Sequence, residues 1–156
     1  MSQKKRVPAI EGWFETEGDE PHLLGTRCKS CKTVFFPKET WFCKNPHCTS
    51  TEFEETPLGR TGTLWSFTSN NYQPPAPYVS PDPFEPYLVA AVELPVEKLV
   101  VLGQVVPGVE LSSLRAGMQM ELVLDVLYSD ADNEYVVWKW KPVAGDAKAG
   151  AAPRNA

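Results

Sequence analysis

The chain has 156 residues, enough for one ordinary domain or two small ones, and its 42% hydrophobic and 22% charged residues make a globular composition. No run approaches the roughly 18 apolar residues of a membrane span. The basic start MSQKKRVPAIEGWF has no apolar stretch behind it, so a cytoplasmic protein without a secretory signal is expected. Residues 1–61 carry nine Lys/Arg and nine Asp/Glu, whereas residues 62–143 carry four against ten, and so acidic a second half is a poor polyanion binder.

Fifteen prolines and short apolar runs rich in Val, Leu and aromatics argue against long helices and for a mainly β protein. Residues 1–21 form a lead-in, in which VPAIEGWF is expected as a helical turn or as an arm packing through Ile10, Trp13 and Phe14. Residues 22–60 follow as a ribbon, with HLLGTRC, TVFFP and TEFEETP as its strands.

The only four cysteines lie in this segment, as CKSC (Cys28, Cys31) and CKNPHC (Cys43, Cys48), with eleven residues between the pairs. Zinc takes four soft ligands at tetrahedral corners, and two knuckles on adjacent hairpins supply them. In a cytosolic chain this spacing favours a metal over disulfides, with rubredoxin-like iron as the other metal the spacing admits. His47 is the alternative ligand beside Cys48, but four thiolates already complete the site; it and His22 are expected at the surface. Four protein ligands leave no open position, so one structural Zn²⁺ per chain is predicted. So short a segment buries little core alone, and the metal supplies most of its folding free energy.

Arg60-Thr61-Gly62 marks the junction with a second unit, residues 61–143. GTLWSFTSNNY alternates as a strand does. A proline-aromatic loop follows, then the nearly continuous apolar strands YLVAAVEL and KLVVLGQVV. PGVELSSLRAGM is a connector with one helical turn at Leu111–Leu114. MQMELVLDVLY and EYVVWKWKP close the sheet as a hairpin around residues 129–133. Five strands with a short connector between the third and fourth match an OB-like barrel. The small, polar residues 144–156 are expected to be a disordered tail.

Neither a Gly-rich phosphate loop nor an HExxH sequence is present. Both histidines lie in the ribbon, which leaves no Ser–His–Asp set in the second unit. Glu121 and Asp125 share one face of a strand, expected to be a solvated outer face rather than paired acid/base chemistry.

The order of these motifs resembles a known family, the OB-fold acyl-CoA-associated proteins with a rubredoxin-like zinc ribbon. The resemblance rests on GTRCKSCKTVFFP (25–37), CKNPHC (43–48), GRTGTLWSFT (59–68), PYLVAAVEL (86–94), VVLGQVV (100–106), LRAGMQMELV (114–123) and VVWKWKPV (136–143). The second knuckle is wider and the lead-in shorter than in many members. The resemblance implies a non-catalytic partner of a thiolase or a lipid-transfer-type thiolase homologue, in a hetero-oligomer such as a dimer of heterodimers. It implies Claisen, retro-Claisen, acyl-transfer or retro-aldol chemistry on an acyl-CoA thioester, with the catalytic residues in the partner. The small subunit would help shape the acyl-CoA site and assemble the complex.

Two local features bear on that role. The loop Tyr72–Tyr87 holds six prolines, which reduce the entropy lost on docking, and Tyr72, Tyr78, Phe84 and Tyr87 are candidate partner anchors; the other reading is that these rings fold back over the barrel. The ribbon also carries Arg27, Lys29, Lys32, Lys38 and Lys44 against Glu39 alone between His22 and Cys48. These charges either balance the zinc thiolates or, at Lys32 and Lys44, meet the phosphates of a CoA thioester shared with the partner. The competing function is single-stranded nucleic-acid binding with Trp65, Phe67, Trp138 and Trp140 as stacking platforms. The acidic barrel weighs against it, and the favoured reading takes these rings as strand residues, some of them in the core.

Overall fold

A computed structural model describes residues 3–143. Its strands are β1 (Lys5–Pro8), β2 (Leu24–Cys28), β3 (Val34–Phe35), β4 (Phe53–Pro57), β5 (Thr61–Asn70), β6 (Tyr87–Leu94), β7 (Leu99–Val105), β8 (Gln119–Ser129) and β9 (Asn133–Pro142). Among the described residues the one helical element is a 3₁₀ turn, Leu111–Ser113, where the connector was expected to turn. No helix of the described residues is long and apolar enough to cross a membrane. The predicted disordered tail, 144–156, lies outside the described residues.

The ribbon is a three-stranded antiparallel sheet in the order β3-β2-β4. The second unit is a closed five-stranded barrel. Strands β5, β6 and β7 pair antiparallel in sequence, β8 pairs with both β5 and β9, and β7 meets β9 in parallel at Gln104↔Lys139 and Val105↔Trp140. That one parallel contact closes the barrel and places the fifth strand between the third and fourth, as in an OB fold. Register shifts at Leu64/Ser66 and Val126/Tyr128 add the local twist that closure needs.

Alternation along the strands fills the interior. Ala90, Val92 and Leu94 of β6 point inward, as do Met120 and Leu122 of β8 and Val136, Trp138 and Trp140 of β9; all are buried. Gly103 lies under the two indoles, and a Cβ there would stand 2.9 Å from both Trp138 Nε1 and Trp140 Cδ1. Only glycine lets β7 approach those rings.

Among the described residues the lead-in forms no helix. Lys5–Pro8 adds as a parallel strand to the part of β9 that β7 leaves unpaired, Asn133–Val136. Pairing an open strand edge satisfies backbone groups that a lone turn would leave to water. Trp13 and Phe14 pack as expected, but Ile10 is 38% exposed and lies outside the core. Trp13 stacks on Trp138 at 6.0 Å, and Phe14 and Phe36 meet Trp138 edge-on at 5.8 and 5.7 Å. One aromatic cluster thus joins the arm, the ribbon and the barrel. Arg60 reinforces this junction: its guanidinium donates to the carbonyls of Pro21 (3.0 Å) and Leu122 (3.3 Å).

Candidate metal centre

The first knuckle begins where β2 ends. Cys28 is the last residue of that strand, and its carbonyl accepts from Lys32 N (3.0 Å) while its N–H donates to Thr33 O (2.9 Å). Lys32 takes φ 65°, the left-handed step that folds this turn back. The second knuckle is wider and is held by its own bonds. Cys43 N donates to Ser50 O (2.8 Å), Cys48 N to Asn45 O (2.9 Å), and His47 N to Asn45 Oδ1 (3.0 Å). Lys29 N donates to Glu52 O (3.0 Å), which fixes the first knuckle against the chain entering β4.

All four sulfurs lie within 4.8 Å of one another. Cys28 and Cys48 stand 3.8 Å apart, and Cys31 and Cys43 3.5 Å apart. Zinc–sulfur bonds of about 2.3 Å give a tetrahedron with edges of about 3.8 Å, whereas a disulfide requires about 2.0 Å. The donor set therefore fits a thiolate-bound metal, and none of the four is in a disulfide. His47 is exposed and is not among the converging ligand atoms. His22 departs from the expected surface position: it is half-buried, with Nδ1 2.8 Å from Leu58 O, and ties the start of the ribbon to its end.

The thiols differ in acidity. Thr33, through its hydroxyl 3.1 Å from the sulfur and its backbone N–H, lowers Cys31 to about 6. Backbone donation from Cys31 lowers Cys28 against the opposing effect of burial. Burial pushes Cys43 up to about 12.

The ribbon's basic residues are less free than their count between His22 and Cys48 implies. Lys44 pairs with Glu39 (2.8 Å) and holds that carboxyl below its usual range. Lys38 pairs with Glu55, and Arg27 lies 3.8 Å from Glu54. Glu54 and Glu55 come from β4, beyond the second knuckle. Lys32 makes no ion pair among the described residues and lines a cleft with Arg27, Thr33, Glu97 and Lys98, between the ribbon and the β6–β7 hairpin.

Of the four loop aromatics, three gather over the barrel. Tyr78 stacks on Tyr87 at 6.0 Å, Phe84 meets Tyr87 edge-on at 6.3 Å, and Tyr78 Oη accepts from Gln104 Nε2 of β7 (2.8 Å). Burial and the neighbouring Tyr78 raise the Tyr87 phenol. Tyr72 stands apart, 68% exposed.

Trp138 and Trp140 are core residues and Phe67 packs against the core, so of the four rings proposed to stack on bases only Trp65 is exposed. The outer face of β8 and β9 is not simply solvated either. Lys139 is 6% exposed and donates to Asp125 Oδ2 (2.9 Å). Nothing in VVWKWKP marks that lysine as buried, because its cover comes from segments distant in sequence.

A four-sulfur site on a three-stranded ribbon, packed against a closed five-stranded barrel, defines a rubredoxin-like zinc-ribbon protein with an OB fold. The family model for the ChsH2 rubredoxin-like zinc ribbon domain matches residues 16–54, and that for the ChsH2 C-terminal OB-fold domain matches residues 55–125. The chain belongs to this ChsH2 family. It is 34% identical over 127 residues to a DUF35 domain-containing scaffold protein of Methanocaldococcus jannaschii, covering 78% of this chain and 82% of that one. It is 35% identical over 130 residues to the benzoylsuccinyl-CoA thiolase subunit BbsA of Geobacter metallireducens, covering 82% of this chain and 80% of the relative. Among solved structures, a chain of the Ltp2-ChsH2(DUF35) aldolase superposes with a TM-score of 0.57 at 29% identity, covering 79% of this chain and 86% of the other.

Proposed function

We propose that this chain is a non-catalytic, zinc-containing accessory subunit of a thiolase-fold complex that acts on acyl-CoA thioesters by thiolytic, Claisen-type or retro-aldol chemistry. The observation that carries the reading is the convergence of all four cysteines on one closed site. The thiol nucleophiles of the chain are thereby spent on structure, and of its two histidines one bonds a backbone carbonyl and the other sits on an exposed knuckle. The relatives named as subunits of a thiolase and a partner in an aldolase supply the class of complex. Cys28, Cys31, Cys43 and Cys48 hold one Zn²⁺, and the metal supplies rigidity to the ribbon rather than an open coordination position. The chain works in the cytoplasm in this reading, where a reducing milieu keeps the four thiols free to bind metal.

The partner is a thiolase-fold catalytic subunit, in a dimer of heterodimers, and the loop Tyr72–Tyr87 reaches it. Tyr72 is the protruding anchor. Tyr78, Phe84 and Tyr87 hold the loop in shape and so reduce what ordering costs on docking. CoA phosphates, where they approach this subunit, meet Lys32 before Lys44, whose ammonium is already engaged by Glu39. Reversal of Lys32 in the assembled complex should raise the KM for acyl-CoA at low salt with kcat preserved.

The test is co-purification of the tagged chain from its native host. Recovery of a thiolase-fold protein, with acyl-CoA turnover by the pair and none by the isolated zinc-loaded chain, supports the proposal. Turnover by the chain alone overturns it.

A further inference from the structure

The proline-rich loop roofs a pocket of about 240 Å³ on the outer face of the barrel. Tyr78 and Tyr87 line it from the loop, Gln104 and Lys139 from the strands, and Val109 and Leu127 form apolar wall. Lys139 lies on the outward register between Trp138 and Trp140, where a lysine is ordinarily solvated, yet only 6% of it is exposed. An ammonium carries three donors. Among the described residues, that of Lys139 meets one acceptor, Asp125 Oδ2. Tyr78 Oη accepts from Gln104 Nε2, and its hydroxyl also meets that of Tyr87. The pocket therefore holds ammonium donors to spare beside apolar wall, in a place where buried polar groups ordinarily find partners, and a phenol whose proton can turn from Tyr87 to a ligand.

Charge selects what complements them. Asp125 already balances Lys139, and Glu85 stands at the rim. A ligand carboxylate would put a second anion on one ammonium in a region of low dielectric, at a cost that an uncharged acceptor avoids. Size selects as well: a cavity of about 150 Å³ holds benzene, so this one admits a single ring with a short substituent. We propose that the pocket binds a compact, uncharged aryl or alicyclic carbonyl group, its oxygen accepting from Lys139 and Tyr78 and its ring lying on the Val109–Leu127 wall. The site is complete within this chain and stands whether or not the accessory role does.

The experiment titrates the full-length, zinc-loaded chain with acetophenone, ethylbenzene and benzoate while backbone amide shifts are recorded. Acetophenone should give saturable shifts confined to residues 78–88, 104–109, 127 and 139. Ethylbenzene, which lacks the acceptor, should bind about 30-fold more weakly, the equivalent of two hydrogen bonds. Benzoate should also bind more weakly than acetophenone. Lys139→Met, which also frees Asp125, should weaken acetophenone about five-fold, the loss of one of its two hydrogen bonds, and leave ethylbenzene within about two-fold. Tyr78→Phe, which deletes one hydroxyl, should weaken acetophenone alone. Shifts elsewhere, benzoate binding as tightly as acetophenone, or unchanged acetophenone affinity in both variants would overturn the proposal. If Lys139→Met does not fold, Tyr78→Phe decides by itself, and unchanged affinity there overturns it.

Discussion

Replacing Phe36 by leucine tests whether the metal site and the barrel are one cooperative unit. Phe36 lies just beyond β3 in the ribbon and makes two edge-to-face contacts, to Trp13 of the arm (5.6 Å, 78°) and to Trp138 of the barrel (5.7 Å, 82°). Each such pair contributes about 0.5–1.5 kcal/mol beyond the area it buries. Leucine retains much of the apolar contact, so Phe36→Leu should remove about 1–3 kcal/mol of docking between ribbon and barrel. A ribbon that orders only around its metal reports that loss as weaker zinc binding, and about 2 kcal/mol corresponds to roughly 30-fold in affinity. Competition against a chromophoric chelator at neutral pH measures the affinity directly. Urea unfolding followed by tryptophan fluorescence reports the barrel in the same samples. Zinc affinity within about two-fold of the parent protein would refute the coupling, and the aromatic cluster would then belong to the barrel alone.

Other outcomes follow from the same geometry. Cys31→Ser should take the metal content from near one equivalent to near zero and disorder the ribbon, as read by metal analysis and amide shifts; disulfides in protein kept reduced would contradict the four-thiolate site. Because burial pushes the Cys43 thiol up to about 12, zinc uptake at neutral pH must expel its proton, so the apparent affinity should fall as pH falls, with at least one proton released per zinc in an indicator assay. Asp130 accepts from the backbone N–H groups of Asn133 (2.7 Å) and Asp132 (2.9 Å), which depress its carboxyl. Its stabilisation of the β8–β9 turn is complete above the ordinary carboxylate range and lost as pH falls through the lowered value. Asp130→Ala should therefore lower Tm at neutral pH and match the parent protein in strong acid. Tyr72→Ala should weaken capture of the catalytic partner several-fold without changing zinc content, and unchanged capture would move the interface away from the loop tip.

Local chemistry was legible in the residues themselves. The spacing of Cys28, Cys31, Cys43 and Cys48 encodes two knuckles, because a short turn between ligands presents both sulfurs to the same side whatever the rest of the chain does. YLVAAVEL reads as a strand and is β6 over the same eight residues, and the Leu111 turn and the hairpin at 129–133 also fall where turn chemistry and alternation place them. These signals depend on neighbours within a few positions and survive without knowledge of the fold. The three barrel pairings between consecutive strands, β5–β6, β6–β7 and β8–β9, are legible for the same reason, since consecutive strands usually pair.

Tertiary structure alone decided what depends on residues distant in sequence. The register Gln104↔Lys139 closes the barrel, and no pattern in either strand specifies it. The lead-in became a strand because β9 had an open edge there. Glu55 reaches Lys38 from across the ribbon and removes much of the apparent basic character of the segment. Tyr78, Phe84 and Tyr87 turn inward because each packs on another ring of the group, whereas Tyr72 makes no ring contact among the described residues and stays exposed. Lys139 offers the sharpest contrast. Alternation on β9 correctly points it outward, but whether outward means water depends on the loop that covers it, and burial is a property of the assembled surface rather than of the strand.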